Sequence, residues 1–370
     1  MPSLPFLPSL TFNPGPSKLS EHTKNDIREA LDLGIPEMSH RSAQFTEMSR
    51  ETIQGLRTFF GIPDGYRVFY TASATEAMEL TIRNLLRRKS AHFTCGRFSE
   101  LFAEISEANG KDAQRISAPW GESPAYDPTA VSADAELITI TTNETSTGTM
   151  CTNADITRIR AGRPDALLAV DITSIAGMNV LQIAEADVWL FSVQKGFGLP
   201  SGLGILIVSP RAFERSLELQ RDKENLAGTF TFEAMDRLML RGAQTVCTPN
   251  ILDIFLLGRT LARWNRAGGL QEKERQTRAK ATLLYEAVQS HPKLRCFVQA
   301  PEARSISVAC IEADPRVIAS THAVAREENL LLGKGYGKLR ESTLRLALFP
   351  AITEDDVRRV LCLFDRLGTR

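Results

Sequence analysis

The hydrophobic pattern changes period several times along the chain, and each change marks an element. The start, MPSLPFLPSLTF, is apolar but cut by Pro2, Pro5 and Pro8 and reads as an extended arm. Ser20 then caps a helix with Ile27, Ala30 and Leu31 on one face, ended by Gly34 and Pro36. Phe45, Met48, Thr52, Leu56 and Phe59 recur at three- and four-residue spacing, which predicts a second helix stopped by Gly61 and Pro63. YRVFYT, rich in aromatic and β-branched residues, runs directly into the helical pattern SATEAMELTIRNLL, half of a βαβ unit. A helix around GRFSELFAEISEA follows, then the strands ELITITT, ALLAVD, DVWLFSV and GLGILIVS. Such nearly unbroken apolar runs belong to strands covered on both faces, so the core is α/β, a parallel or mixed sheet flanked by helices. From about residue 250 long amphipathic helices take over, with short strands near SISVACIE and TLRLALF and a final helix, EDDVRRVLCLFDRL. The expected division is an arm over residues 1–15, a large domain over 16–250 and a smaller α+β domain over 251–370.

Composition narrows the function classes. Lys and Arg number 44 against 44 Asp and Glu in 370 residues, so no global field draws nucleic acid or an anionic membrane, while a local basic pocket for a small acidic substrate remains open. The six cysteines contain no C-x-x-C pair, which argues against a zinc knuckle or a disulfide framework and for a reducing, cytoplasmic setting. No apolar stretch approaches the roughly 20 residues of a membrane span.

In an open α/β sheet ligands gather beyond the carboxyl ends of the strands, so the residues that follow each apolar run carry the chemistry. Ser73, Ala74 and Thr75 open a helix, where free N–H groups suit a phosphate and where Ser and Thr also serve as ordinary caps. Asn143, Glu144 and Thr145 form a polar turn. Asp171 closes a hydrophobic strand and needs a partner, either a ligand or the turn at Thr173 and Ser174. Lys195 follows DVWLFSV and precedes GFGLPSG; a buried amine there loses its proton readily and forms a Schiff base with an aldehyde, the alternative being a lysine reaching to the rim. A phosphate cradle, an acid and a lysine on successive strand ends are the three things pyridoxal 5′-phosphate requires, whereas the G-x-G-x-x-G of a dinucleotide site is missing after the first strand.

These residues also resemble a known family. SATEAMEL, AVDITSIAG and FSVQKGFGLPSGLG are similar to the motifs of class V, fold-type I pyridoxal-phosphate enzymes. FNPGPSKL, MSHRSAQF and TNETSTG resemble signatures of the phosphoserine aminotransferases, and the likeness runs from about Phe12 to the C-terminus. The resemblance implies a mixed, mostly parallel sheet flanked by helices, a smaller C-terminal domain and a homodimer with shared active sites. It further implies that Lys195 holds the cofactor as a Schiff base, that Asp171 pairs with the ring nitrogen, and that Ala74, Thr75 and Gln194 hold the phosphate. Thr145 would support the ring hydroxyl, Phe98 would stack on the ring, and Thr248 would reach a neighbouring subunit's cofactor. Arg345 would take the substrate α-carboxylate, and His40 with Arg41 the substrate phosphate or the glutamate side chain; on spacing alone those two read as a turn histidine and a surface charge. The implied reaction is transamination between L-glutamate and 3-phosphohydroxypyruvate in serine biosynthesis. The rivals are another class V enzyme acting on alanine, serine and glyoxylate, a cysteine desulfurase, and a non-catalytic scaffold that binds the cofactor. The chain departs from the family at Leu348, where Asn is expected, and at GKGYGK, where Lys334, Tyr336 and Lys338 stand in place of a basic His-Arg pair.

Overall fold

The computed structural model describes residues 8–368, so Pro2 and Pro5 of the arm lie outside the described residues. Seven strands form the main sheet, in the spatial order Arg67–Thr71, Gly204–Val208, Val188–Ser192, Leu167–Asp171, Leu137–Thr141, Lys89–Thr94, Asp112–Ser117. Gly204–Val208 runs antiparallel to both its neighbours, and the remaining strands share one direction. The sheet is therefore mixed and mostly parallel, with helices on both faces. Successive residues of one strand serve opposite cores: Leu167 and Ala169 pack with helices Ala74–Leu85 and Pro210–Arg221, while Leu168 and Val170 join the larger core that continues into the C-terminal part. Two covered faces account for the unbroken apolar runs, because each residue at 0–4% exposure contributes about 1.5–3 kcal/mol of burial when its side chain is large.

The caps match the residues that supply them. Ser20, Ser42 and Ser73 accept from the backbone N–H groups of Thr23, Phe45 and Glu76 at the starts of Glu21–Asp32, Ala43–Phe60 and Ala74–Leu85. Gly61 closes the second helix at φ 63, a left-handed conformation that suits glycine. Leu31 departs from its expected face: Ala30 is buried, but Leu31 is 61% exposed. Two strands escaped the hydrophobic pattern. Asp112–Ser117 is a polar edge strand, and Lys89–Thr94 carries the fully buried His92, whose ring nitrogens each lie 2.7 Å from a hydroxyl, those of Ser90 and Thr139. Burial pushes this imidazole down to about 3, so it sits neutral in the core and reads as polar only in the sequence.

Helix Ile251–Arg266 lies along Ala43–Phe60, with Thr52 Oγ1 donating to the Ile254 carbonyl at 3.3 Å, and Arg263 grips the buried Asp26 through two nitrogens at 3.0 and 2.6 Å. Beyond it, helix Gly269–Ser290 packs near an antiparallel four-stranded sheet ordered Arg295–Cys296, Val308–Glu312, Thr343–Ala347, Gly333–Lys334. The arm and the segment just after it tie the two sheets together: the Phe12 carbonyl accepts from the N–H of Ala347 on the four-stranded sheet at 2.9 Å. Leu10–Thr11 pairs in parallel with Leu330–Leu331, and Ser17 donates its N–H to the Gln194 carbonyl and its hydroxyl to the Lys195 carbonyl, both at 2.9 Å. Between these anchors Gly15 passes so close to the lysine that a Cβ at this position would stand 3.0 Å from Lys195 Cε.

Candidate active site

The four strand ends singled out from the sequence open on one cavity of about 230 Å³, walled by Thr75, Phe98, Thr145, Asp171, Gln194, Lys195 and Arg345 among others. Lys195 is 8% exposed, so it does not reach to the rim. Its Nζ donates to Thr145 Oγ1 at 2.9 Å and lies 4.7 Å from the centre of the Phe98 ring. Burial pushes this amine down to about 8; Asp171 and Glu144 pull it partly back up, and Arg345 presses it lower. Asp171 is the last residue of its strand, and its Oδ1 accepts from the Thr173 N–H at 2.8 Å and the Thr173 hydroxyl at 2.5 Å. The acid thus caps the turn and lines the cavity at once. Burial raises its carboxyl, against the Thr173 hydrogen bonds and the nearby Lys195 charge.

The depressed amine carries a stability cost. Between pH 8 and about 10.5 the unfolded chain keeps this proton while the folded chain has released it, so the cofactor-free protein gains stability as pH rises across that window, by about 3 kcal/mol. Lys195→Met is expected to exceed the parent in stability at pH 7, with the gap closing by pH 10.5. Urea unfolding of both cofactor-free proteins at the two pH values measures it, and parallel pH profiles would refute it.

At the helix that follows Ser73, Ala74 donates its N–H to Ser192 Oγ at 2.7 Å, and the Thr75 N–H has no hydrogen-bond partner among the described residues. Ala74 still lines the cavity. Gln194 Oε1 and Asn143 Oδ1 are buried in the wall without hydrogen bonds among the described residues. Arg345, on strand Thr343–Ala347, donates from Nε to the Lys334 carbonyl at 2.8 Å and from Nη1 to the Thr145 carbonyl at 3.0 Å. Its Nη2 makes no hydrogen bond among the described residues, and its guanidinium lies 5.4 Å from the Tyr336 ring centre.

Three expected site residues stand outside this cavity within one chain. His40 packs edge-on against Phe45, Arg41 is exposed with Nη1 2.9 Å from Gln244 Oε1, and Thr248 is exposed on the segment just beyond Gln244. Of the GKGYGK residues, Tyr336 lines the cavity, Lys338 stacks 4.8 Å over Trp120, and Lys334 faces an adjoining cavity with His322 and Arg326 that shares Tyr336 and Arg345 with the first. Cys310 is buried with its thiol pushed up to about 12, and burial also raises Cys296, so neither is the reactive thiol of a desulfurase. Two further residues at the cavity carry no local signal of a role in the sequence, Gly15 and Glu144. Both lie within the FNPGPSKL and TNETSTG segments, but their partners are 180 and 46 residues away, beyond the reach of local pattern.

A lysine and an acid beyond the carboxyl ends of a mixed, mostly parallel sheet, with a smaller antiparallel sheet alongside, define a fold-type I transferase. Residues 11–360 match the family described as Aminotransferase class-V; the chain belongs to that family and is an aminotransferase. A phosphoserine aminotransferase from Rhodococcus opacus is 31% identical over 357 residues, covering 94% of this chain and 92% of the relative. One from Corynebacterium glutamicum is 29% identical over 371 residues, covering 98% and 96%. The crystal structure of a phosphoserine aminotransferase from Cytophaga hutchinsonii superposes with a TM-score of 0.91 at 32% identity, covering 96% of this chain and 98% of that one. An alanine–glyoxylate aminotransferase from a Nostoc species superposes with a TM-score of 0.84 at 20% identity, over 99% and 97% of the two chains, a likeness of fold alone. The family implies pyridoxal phosphate.

Proposed function

We propose that the protein transfers the amino group of L-glutamate to 3-phosphohydroxypyruvate, giving O-phospho-L-serine and 2-oxoglutarate, with pyridoxal 5′-phosphate carried on Lys195. The observation that carries this reading is the buried Lys195 amine in one cavity with Asp171 and Arg345. Relatives named phosphoserine aminotransferase over nearly the whole chain support the choice of substrates.

The residues present fit the cofactor. The unpartnered Thr75 N–H at a helix N-terminus and the side-chain NH2 of Gln194, a donor, suit the phosphate, with Ala74 beside them. Asp171 suits the ring nitrogen, Phe98 the ring face and Thr145 the ring hydroxyl. Bound there, pyridoxal phosphate supplies an electron sink and an aldehyde that carries the amino group. Lys195, with an amine near neutrality, moves a proton at the substrate α-carbon as general acid and base. Arg345 orients the α-carboxylate common to both substrates through its open Nη2 edge, a role for which a planar guanidinium is suited. The Phe98 and Tyr336 rings, 5.7 Å apart, form an apolar part of the cavity wall, with Phe98 4.7 Å from the Lys195 amine.

His40, Arg41 and Thr248 take part, on this reading, across a homodimer. The bond from Arg41 to Gln244 joins the His40–Arg41 turn and the segment leading to Thr248 into one surface, and a second copy can present both to its neighbour's cavity. That surface would bring the cations a phosphorylated substrate needs. The absence of any described helix long and apolar enough to cross a membrane is compatible with a cytoplasmic place of action.

The test is a spectral titration. The yellow protein is expected to bleach with L-glutamate and to recover with 3-phosphohydroxypyruvate but not with unphosphorylated hydroxypyruvate. Bleaching by alanine or serine with recovery on glyoxylate would move the assignment to the rival class V reaction. No bleaching by any amino acid would leave only the scaffold.

A further inference from the structure

We propose that Glu144 is a positioning residue of this pocket, whose buried carboxylate holds the Phe98 ring against the Lys195 head group and supplies negative charge beside it. The inference rests on the covalent-cofactor reading above. Helix Arg97–Ala108 starts at Gly96 without a side-chain cap of its own. Its first turn is held from the turn after another strand: the Phe98 N–H points to both carboxylate oxygens of Glu144 at 3.3 and 3.1 Å, and the Ser99 N–H donates to Oε2 at 2.9 Å. The Arg97 N–H donates to Ser146 Oγ at 3.0 Å, and Ser146 returns its own N–H and hydroxyl to Glu144 Oε1 at 3.1 and 2.7 Å. Ser99 Oγ stands 3.0 Å from Oε2 and 2.9 Å from the Gly96 carbonyl, so its one proton serves either. The fit is close enough that a Cβ on Gly96 would lie 2.4 Å from Glu144 Cγ.

An ordinary cap explains the helix but not the location. Glu144 is 0% exposed; the next residue, Thr145, accepts from Lys195 Nζ through its hydroxyl and from Arg345 through its carbonyl. One three-residue turn therefore fixes the stacking ring, the lysine and the arginine together. A carboxylate is also costlier to bury than the Ser or Asn that would cap as well, so its charge calls for a use. The charged groups that bear on Lys195 are Asp171 and Glu144, which favour its ammonium, and Arg345, which opposes it.

The experiment follows the pH dependence of Lys195 acetylation by acetic anhydride in the cofactor-free protein, read by mass spectrometry. Glu144→Gln keeps the side-chain length and removes the charge, and its midpoint is expected to fall by about one pH unit, or tenfold more free amine at a given pH below it. Glu144→Asp, which keeps the charge, is expected to restore the midpoint. A cap alone would lower thermal stability and leave the midpoint still, so an unmoved midpoint in folded Glu144→Gln overturns the proposal. Should Glu144→Gln not fold, Ser146→Ala in a Phe98→Trp reporter keeps the charge and frees the Arg97 N–H. Its cofactor-dependent quenching of Trp emission is expected to drop about twofold, and unchanged quenching overturns the positioning role. Acetylation needs no cofactor, so a parent that never takes up pyridoxal phosphate refutes the function proposed above and leaves the charge test readable.

Discussion

Lys195→Ala is expected to lower turnover by at least about 10⁴-fold and to abolish the borohydride-trapped adduct on the peptide containing residue 195. On the proposed reading two separate losses combine: the amine that would hold the aldehyde, and the base that would move the α-proton. The pocket itself should survive, because the Thr75 N–H, Asp171 and Phe98 do not depend on the lysine for their places. Non-covalent cofactor is therefore expected to remain, and added methylamine should recover part of the lost rate. An adduct trapped on another lysine, or turnover within tenfold of the parent, would remove the proposed role.

Asp171→Asn is expected to slow proton transfer by about 10²–10³-fold in single-turnover measurements while the melting temperature changes little. The amide oxygen can still accept from the Thr173 N–H and hydroxyl, so the turn keeps its cap. What disappears is the negative charge that favours the Lys195 ammonium and that, on the proposed reading, would keep the ring nitrogen protonated. The amine of the variant should accordingly titrate lower than about 8 in the cofactor-free protein. A change of less than threefold would show that the acid serves the turn alone.

Much of the fold was legible because burial leaves a local mark. The runs LLAVD and VWLFS face two cores, and helix Ala43–Phe60 shows its buried face at helical spacing with Gly61 as its stop. Burial leaves no such mark where a polar side chain is satisfied inside: His92, held by Ser90 and Thr139, disguises an interior strand. Leu31 misleads the opposite way, since an apolar residue at the right spacing sits at the margin of its helix's buried face. Glu144 showed only as a polar loop residue, because the N–H groups it serves belong to a helix 46 residues earlier.

The sequence by itself determined the order of the elements that its apolar periods mark and the residues at the four strand ends of the cavity, since those follow from side-chain periods within windows of a few residues. It could not place the elements in space. The antiparallel strand Gly204–Val208 is inserted between the first strand and Val188–Ser192, which seats Ser192 Oγ on the Ala74 N–H across 118 residues. Arg345 meets Thr145 across 200 residues, and the arm lays Gly15 against Lys195 across 180. Those contacts depend on how two sheets and a strap pack once their apolar faces are buried, a property of the whole core that no short stretch of chain contains.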